Sequence, residues 1–73
     1  MAGGGTTITV RLNGEKREIP RDLSIRRLLE FLDIREERVA VERNREIVSR
    51  DRWDEVQLQE GDELEIVHFV GGG

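Results

Sequence analysis

Thr7-Ile8-Thr9-Val10-Arg11-Leu12-Asn13-Gly14-Glu15-Lys16-Arg17-Glu18-Ile19-Pro20 is the stretch that decides the fold. Ile8, Val10 and Leu12 alternate with Thr7, Thr9 and Arg11, the period-two pattern of a strand with one buried face. Asn13-Gly14 then supplies two residues that tolerate positive φ, as a type I′ turn requires, and the twist of that turn suits a two-stranded ladder. Glu15 to Ile19 is therefore expected to return antiparallel to the first strand. Pro20 closes the hairpin, since it has no N–H to give to a ladder.

Beyond the hairpin the period changes to that of a helix. Ser24 is the expected N-cap, and Leu23 before it pairs with Leu28 as a hydrophobic staple, although Arg27 at the third helical position rules out a capping box. Ile25, Leu28, Leu29 and Leu32 fall at i, i+3, i+4 and i+7, so one stripe is aliphatic while Arg26, Arg27, Glu30 and Asp33 face water. The spacing predicts one amphipathic helix of about three turns, too short for a coiled coil and fit to cover a sheet. After a charged connection at Arg35 to Arg38, Val39-Ala40-Val41 reads as a strand, Glu42 to Arg45 as a turn, and Glu46-Ile47-Val48 as the returning arm. Ser49 to Glu55 surrounds a lone Trp53 with charge and reads as a loop or a single helical turn. Val56 to Leu58 and a turn at Gln59 to Asp62 then lead into a final strand from Glu63 to Val70, which completes the pattern. In that last strand Leu64, Ile66, His68 and Val70 share one face, and Glu65, Val67 and Phe69 the other.

A hairpin, a helix laid across one sheet face and further strands make an α+β domain with a mixed sheet of four to five strands and one main helix. By topology it looks like a ubiquitin-like β-grasp. Residues 6–70 are assigned to this domain, residues 1–5 to a disordered glycine-rich lead and residues 71–73 to a flexible glycine tail. With 73 residues, 36% hydrophobic and 38% charged, only one core can be built. No apolar run approaches the roughly 20 residues that span a membrane. Met1 to Thr7 has neither the basic start nor the apolar stretch of a secretory signal. The absence of Cys removes disulfides and thiolate metal sites and fits a cytoplasmic setting. The net charge is -4, with 12 basic and 16 acidic residues interspersed, so there is no concentrated basic footprint for nucleic acid.

The catalytic inventory is thin. A hydrolytic or transfer enzyme needs a nucleophile, a base to activate it and a group to orient the base. Here there is one His, no Cys and no Tyr, and Ser occurs only at positions 24 and 49. The carboxylates Asp51, Asp54 and Glu55 lack the spacing of a calcium loop, so no metal site is expected. His68 is read as a partly buried histidine bonded to nearby backbone, and Trp53 as a lid over the core edge. Val67 and Phe69, opposite the core-facing Leu64 and Ile66, form an outward apolar pair suited to docking a partner, unless Trp53 or the Ser49 to Glu55 loop folds over them. Arg43, Arg45, Arg50 and Arg52 are candidates for steering toward an acidic partner surface.

The chain end is the most specific feature. Gly71-Gly72-Gly73 presents no side chain, tolerates any backbone conformation and follows a rigid strand, so it can thread a narrow channel. From Asn13 to Gly73 the sequence resembles the bacterial sulfur carrier family of thiamine biosynthesis, ThiS. The resemblance rests on Leu12-Asn13-Gly14, Leu28-Leu29-Glu30-Phe31-Leu32, Val39-Ala40-Val41 with Glu46-Ile47-Val48, Arg50, Trp53, and above all Glu60-Gly61-Asp62-Glu63-Leu64-Glu65-Ile66-Val67-His68-Phe69-Val70-Gly71-Gly72-Gly73. The segment Glu42-Arg43-Asn44-Arg45 is read as longer and more charged than the compact Asn-centred turn of the family, and Met1 to Gly5 has no counterpart in it.

The resemblance implies a protein co-substrate and no enzyme. Gly73 would be adenylated at its carboxylate by an enzyme related to ubiquitin-activating enzymes, then receive sulfur from a cysteine desulfurase relay to become a thiocarboxylate. Thiazole synthase would consume that sulfur. Gly71 and Gly72 would thread the tail, Val67 and Phe69 would bind the partner, and no cofactor would be bound beyond the transient acyl-adenylate and thiocarboxylate. The same glycine end would serve a β-grasp carrier for the molybdenum cofactor or for tRNA thiolation, or a ubiquitin-like modifier joined through Gly73 to a lysine.

Overall fold

The computed structural model describes residues 5–35 and 38–69. The expected N-terminal lead, apart from Gly5, and Val70, Gly71, Gly72 and Gly73 lie outside the described residues.

The opening hairpin forms as its sequence dictates. β1 (Thr7–Leu12) pairs with β2 (Glu15–Pro20) from Thr7↔Pro20 to Leu12↔Glu15. Asn13 and Gly14 between them sit at φ 49 and 86, the two left-handed positions of a type I′ turn. Ile8, Val10 and Leu12 are buried on one face of the ladder, together with Ile19 from β2.

α1 (Ile25–Phe31) begins at Ser24, whose hydroxyl accepts the Arg27 N–H at 3.2 Å. Its seven residues make about two turns, fewer than the aliphatic stripe implies. The helix stops because Asp33 adopts φ 60, from which its N–H reaches the Glu30 carbonyl while the Ile34 N–H reaches that of Leu29. These are the two bonds of a Schellman cap, built on Asp in the place where Gly is usual. Ile25, Leu28 and Leu29 are buried against the sheet, with Leu32 and Ile34 packed at the border of the same cluster.

A second hairpin joins β3 (Val39–Arg43) to β4 (Glu46–Val48), in register from Val41↔Val48 to Arg43↔Glu46. Its turn is only Asn44-Arg45, at φ 52 and 72. The longer charged loop expected at Glu42 to Arg45 is thus corrected to a compact Asn-centred turn. Asn44 meets the strain with its side chain: Oδ1 accepts the Glu63 N–H at 3.0 Å and Nδ2 donates to Asp62 Oδ1 at 3.2 Å. A one-turn 3-10 helix (Arg50–Arg52) follows and turns Trp53 into the core. Val56 to Leu58 straps the start of α1, with the Leu58 N–H on the Leu23 carbonyl, the Ile25 N–H on that of Val56 and an isolated bridge between Ser24 and Gln57.

β5 (Glu63–His68) takes the centre of a five-stranded sheet ordered β2-β1-β5-β3-β4. It runs parallel to β1 at Arg11↔Glu63 and Leu12↔Leu64, and antiparallel to β3 from Val39↔His68 to Arg43↔Leu64. With α1 across one face, this is the β-grasp arrangement expected from the sequence. β5 is the most enclosed strand of the sheet, flanked by β1 and β3.

Candidate functional site

The site is built on β5 and on what fixes its two ends. At the start, Asp62 is buried and fully engaged: it accepts from Arg43 Nε at 2.9 Å, from Asn44 Nδ2 at 3.2 Å and from the Gln59 N–H at 2.8 Å. The Arg43 pair is charge-assisted and shielded on the aspartate side, so it outweighs an ordinary surface ion pair. One carboxylate thereby ties the turn before β5 to the tip of the second hairpin.

Along β5 the side chains alternate. Leu64 and Ile66 point into the core while Glu65 and Val67 point away from α1. Val67 is 47% exposed and Phe69 58%. Among the described residues nothing folds over them. Trp53, one of the two candidates for covering them, is 1% exposed on the opposite side, its Nε1 donating to the Val48 carbonyl at 2.9 Å and the guanidinium carbons of Arg50 and Arg26 lying 5.4 and 6.0 Å from the ring centroid. The lid reading of Trp53 is corrected to a core residue. His68 is exposed, not partly buried, because the core ends at Ile66 and the alternation carries one residue past it.

The open sheet face around Val67 has a definite charge pattern. Val67 lies opposite Ala40, and the next outward pair is Glu65 opposite Glu42, two carboxylates at neighbouring positions. Glu42 in turn lies opposite Ile47, which is 73% exposed. An apolar strip with an acidic border results. The arginines read as steering groups are engaged within the chain: Arg43 with Asp62, Arg45 within 3.9 Å of Glu63, Arg52 within 3.6 Å of Glu55, and Arg50 over Trp53.

Near its far end β5 is held from both sides. The Phe69 N–H donates to the Arg38 carbonyl at 2.8 Å on the β3 side. On the β1 side Asn13 donates its own N–H to the Leu64 carbonyl at 2.9 Å, accepts the Ile66 N–H at Oδ1 at 2.8 Å and returns a longer bond from Nδ2 to the Ile66 carbonyl at 3.3 Å. Sequence reading gave Asn13, Asn44 and Asp62 turn roles only. Their side-chain partners lie many residues away, and the one local hint was the preference of Asn and Asp for left-handed and capping positions.

A groove of about 380 Å³ beside β4 is lined by Arg43, Glu46, Ile47, Ser49 and Arg52 among others. Among the described residues no cluster of His, Asp and Glu could hold a metal ion, and no helix is long and apolar enough to cross a membrane. What remains distinctive is a central strand with an exposed apolar end, leading to the three glycines.

A sequence model of the ThiS family matches residues 10–73. The chain belongs to the ThiS family. The sulfur carrier protein ThiS of Bacillus subtilis is 43% identical over 65 residues, spanning 88% of this chain and 98% of that one. The crystal structure of the thiamine biosynthesis protein ThiS from Geobacter metallireducens superposes with a TM-score of 0.80 at 30% identity, covering 90% of this chain and all of that one. The thiazole synthase of Magnetococcus marinus is 45% identical over 64 residues, but the chain spans only 20% of its length. The ThiS match runs from the middle of β1 through the glycine end, so it takes in both hairpins, α1 and β5.

Proposed function

We propose that this chain is a sulfur carrier of thiamine biosynthesis, working as a co-substrate in the cytoplasm, with its reactive group at Gly73. The observation that carries the reading is membership of the ThiS family together with an exposed Val67 and Phe69 on the strand that leads to the glycines. On this reading the carried sulfur sits on the Gly73 carboxylate, which accounts for a sulfur carrier that has no Cys. A Gly73 carboxylate oxygen attacks the α-phosphorus of ATP, the bond to pyrophosphate breaks, and an acyl-adenylate forms. The outer sulfur of a persulfide, delivered by a cysteine desulfurase relay, then attacks the acyl carbon and AMP leaves with the C–O bond electrons. A thiol reductant cleaves the S–S bond of the resulting acyl disulfide, supplying the two electrons and leaving with the relay thiol as a disulfide. The product is a thiocarboxylate, and thiazole synthase takes its sulfur.

The groups that move protons and stabilise these transition states belong to an adenylating enzyme related to ubiquitin-activating enzymes. The carrier supplies a slender end through Gly71 and Gly72 and a surface to hold. Val67 and Phe69 give that surface its apolar centre, and Glu65 and Glu42 call for a basic border on the partner. Phe69→Asp is expected to weaken binding to the adenylating enzyme by about 2 kcal/mol or more, over tenfold in Kd. Because Phe69 is exposed, its urea midpoint should stay close to that of the parent chain. Unchanged affinity in the folded variant would remove Phe69 from the interface.

The deciding experiment is the intact mass of the chain after incubation with ATP, a sulfur donor, the desulfurase and the adenylating enzyme of the same source. Exchange of one oxygen for one sulfur, localised to Gly73, is the expected result. Isopeptide products with other proteins would mark a modifier instead, and no change in the presence of active enzyme would leave an inert binding module.

A further inference from the structure

We propose that Asn13 is the deamidation site of this chain, and that its two hydrogen bonds to Ile66 hold the reaction off while β1 and β5 stay joined. Of the two asparagines, Asn13 and Asn44, only Asn13 is followed by glycine. An asparagine is converted when the backbone nitrogen of the next residue attacks its side-chain amide carbon. Glycine favours that attack because it has no Cβ to crowd the approach, whereas Arg45 places one beside Asn44. Asn13 and Gly14 are both exposed, so water reaches them.

The bonds that change are few. The Gly14 N–H gives its proton to hydroxide, and the nitrogen bonds to Asn13 Cγ. Nδ2 then takes up a proton and leaves as ammonia, which restores the hydroxide and closes a succinimide ring. Water opens the ring at either carbonyl. Cleavage of the bond from Cγ to nitrogen gives an aspartate at this position, and cleavage of the bond from the main-chain carbonyl carbon to nitrogen gives isoaspartate, with the chain rerouted through Cγ. The sum is one water in and one ammonia out, with no electrons transferred.

The fold stands in the way of this sequence. The Asn13 side chain is drawn across to β5, where Oδ1 accepts the Ile66 N–H at 2.8 Å and Nδ2 donates to the Ile66 carbonyl at 3.3 Å. Gly14 carries the chain the other way, into β2. The attacked carbon lies between the two bonded atoms and the leaving nitrogen is one of them, so ring closure requires this clamp to open. The turn adds a second barrier. Asn13 and Gly14 hold its two left-handed positions, at φ 49 and 86. In a type I′ turn the Gly14 nitrogen lies roughly opposite Cβ across the Cα–C bond, whereas the ring needs the two eclipsed. Cyclisation therefore proceeds from an opened form, in which β1 has released β5 beyond Leu12↔Leu64 and the turn has relaxed.

The change runs one way. An aspartate keeps an acceptor for the Ile66 N–H but has no N–H for the Ile66 carbonyl. Isoaspartate also adds a methylene to the backbone of a two-residue turn, which the Leu12↔Glu15 register does not accommodate. Each opening that goes to completion leaves a chain that closes less well.

The test compares the full chain at neutral pH, folded and in guanidinium chloride above its unfolding midpoint, by intact mass and by peptide fragmentation that separates isoaspartate from aspartate. The unfolded chain should deamidate at Asn13 while Asn44 stays intact over the same period, and the folded chain should react at least about tenfold more slowly. Below the midpoint, deamidation and hydrogen exchange at the Ile66 N–H should climb together with denaturant, since both wait for the same bond to break. Folded and unfolded chains reacting at one rate, or an Asn13 that outlasts Asn44 in the unfolded chain, would overturn the inference. So would a deamidation rate that stays flat while exchange at Ile66 rises.

Discussion

Trp53→Ala is expected to leave the chain largely unfolded at room temperature. The indole is 1% exposed, fills the space between the 3-10 turn and β4, and holds the Val48 carbonyl through Nε1. Truncating a buried Trp costs about 3–5 kcal/mol, and the lost hydrogen bond from Nε1 to the Val48 carbonyl adds about 0.5–1.5 kcal/mol. Small domains are stable by about 5–15 kcal/mol, and a chain of this size buries only about 60% of its unfolded surface, which puts it toward the low end. The loss is comparable to the whole. Urea denaturation followed by far-UV circular dichroism should show a native baseline that is short or missing, whereas Phe31→Ala, at an exposed position on α1, should stay within about 0.5 kcal/mol of the parent. Tryptophan fluorescence cannot serve here, since the variant has none. A Trp53→Ala midpoint within about 1 kcal/mol of the parent would show that the core closes without the indole.

That residue also marks where sequence reading stops. Trp53 stands between Arg52 and Asp54, so local hydropathy assigns it to a charged loop, and only the fold reveals that the turn carrying it is rolled against β4. The first hairpin was legible because its signals are adjacent: alternation in β1 and Asn13-Gly14 together fix the partner and the register. In the second hairpin the two arms and the turn between them were legible but not how tight that turn is, since Asn44-Arg45 has no glycine and the group that stabilises the turn, Asp62, lies 18 residues from Asn44. For α1 the stripe gave the buried face correctly, yet an Asp at the left-handed cap position hid where the helix ends. Val56 to Leu58 carries no local signal of its place: β1 and β3 flank β5, and the segment pairs with the chain before α1.

For the candidate site, the outward direction of Val67 and Phe69 was legible from alternation alone. Whether they stay uncovered depended on where Trp53 goes, a tertiary fact. His68 failed for the opposite reason: it has the phase of Leu64 and Ile66 but lies past the edge of the core, and phase says nothing about where a core stops. The clamp at Asn13 spans 53 residues of sequence to reach Ile66, so no local pattern could announce it.

A chain extended by a single Ala after Gly73 is expected to lose thiocarboxylate formation while still binding the adenylating enzyme. The extension turns the Gly73 carboxylate into a peptide carbonyl, whose electron density is shared with nitrogen and which carries no charge with which to attack phosphorus. The new carboxylate lies about 3.3–3.6 Å further along the chain, well beyond the roughly 1 Å misplacement that can cost about a hundredfold in rate. It also brings a Cβ into a passage suited to glycine. The apolar surface at Val67 and Phe69 is untouched, so affinity should survive the loss of reaction. Binding and chemistry would then part in one variant, read by calorimetry for the complex and by intact mass for sulfur. If the extended chain took up sulfur at the parental rate, the reacting atom would not be the Gly73 carboxylate. If binding disappeared with the reaction, the tail and not the β5 surface would hold the partner, and Phe69→Asp should then be nearly silent.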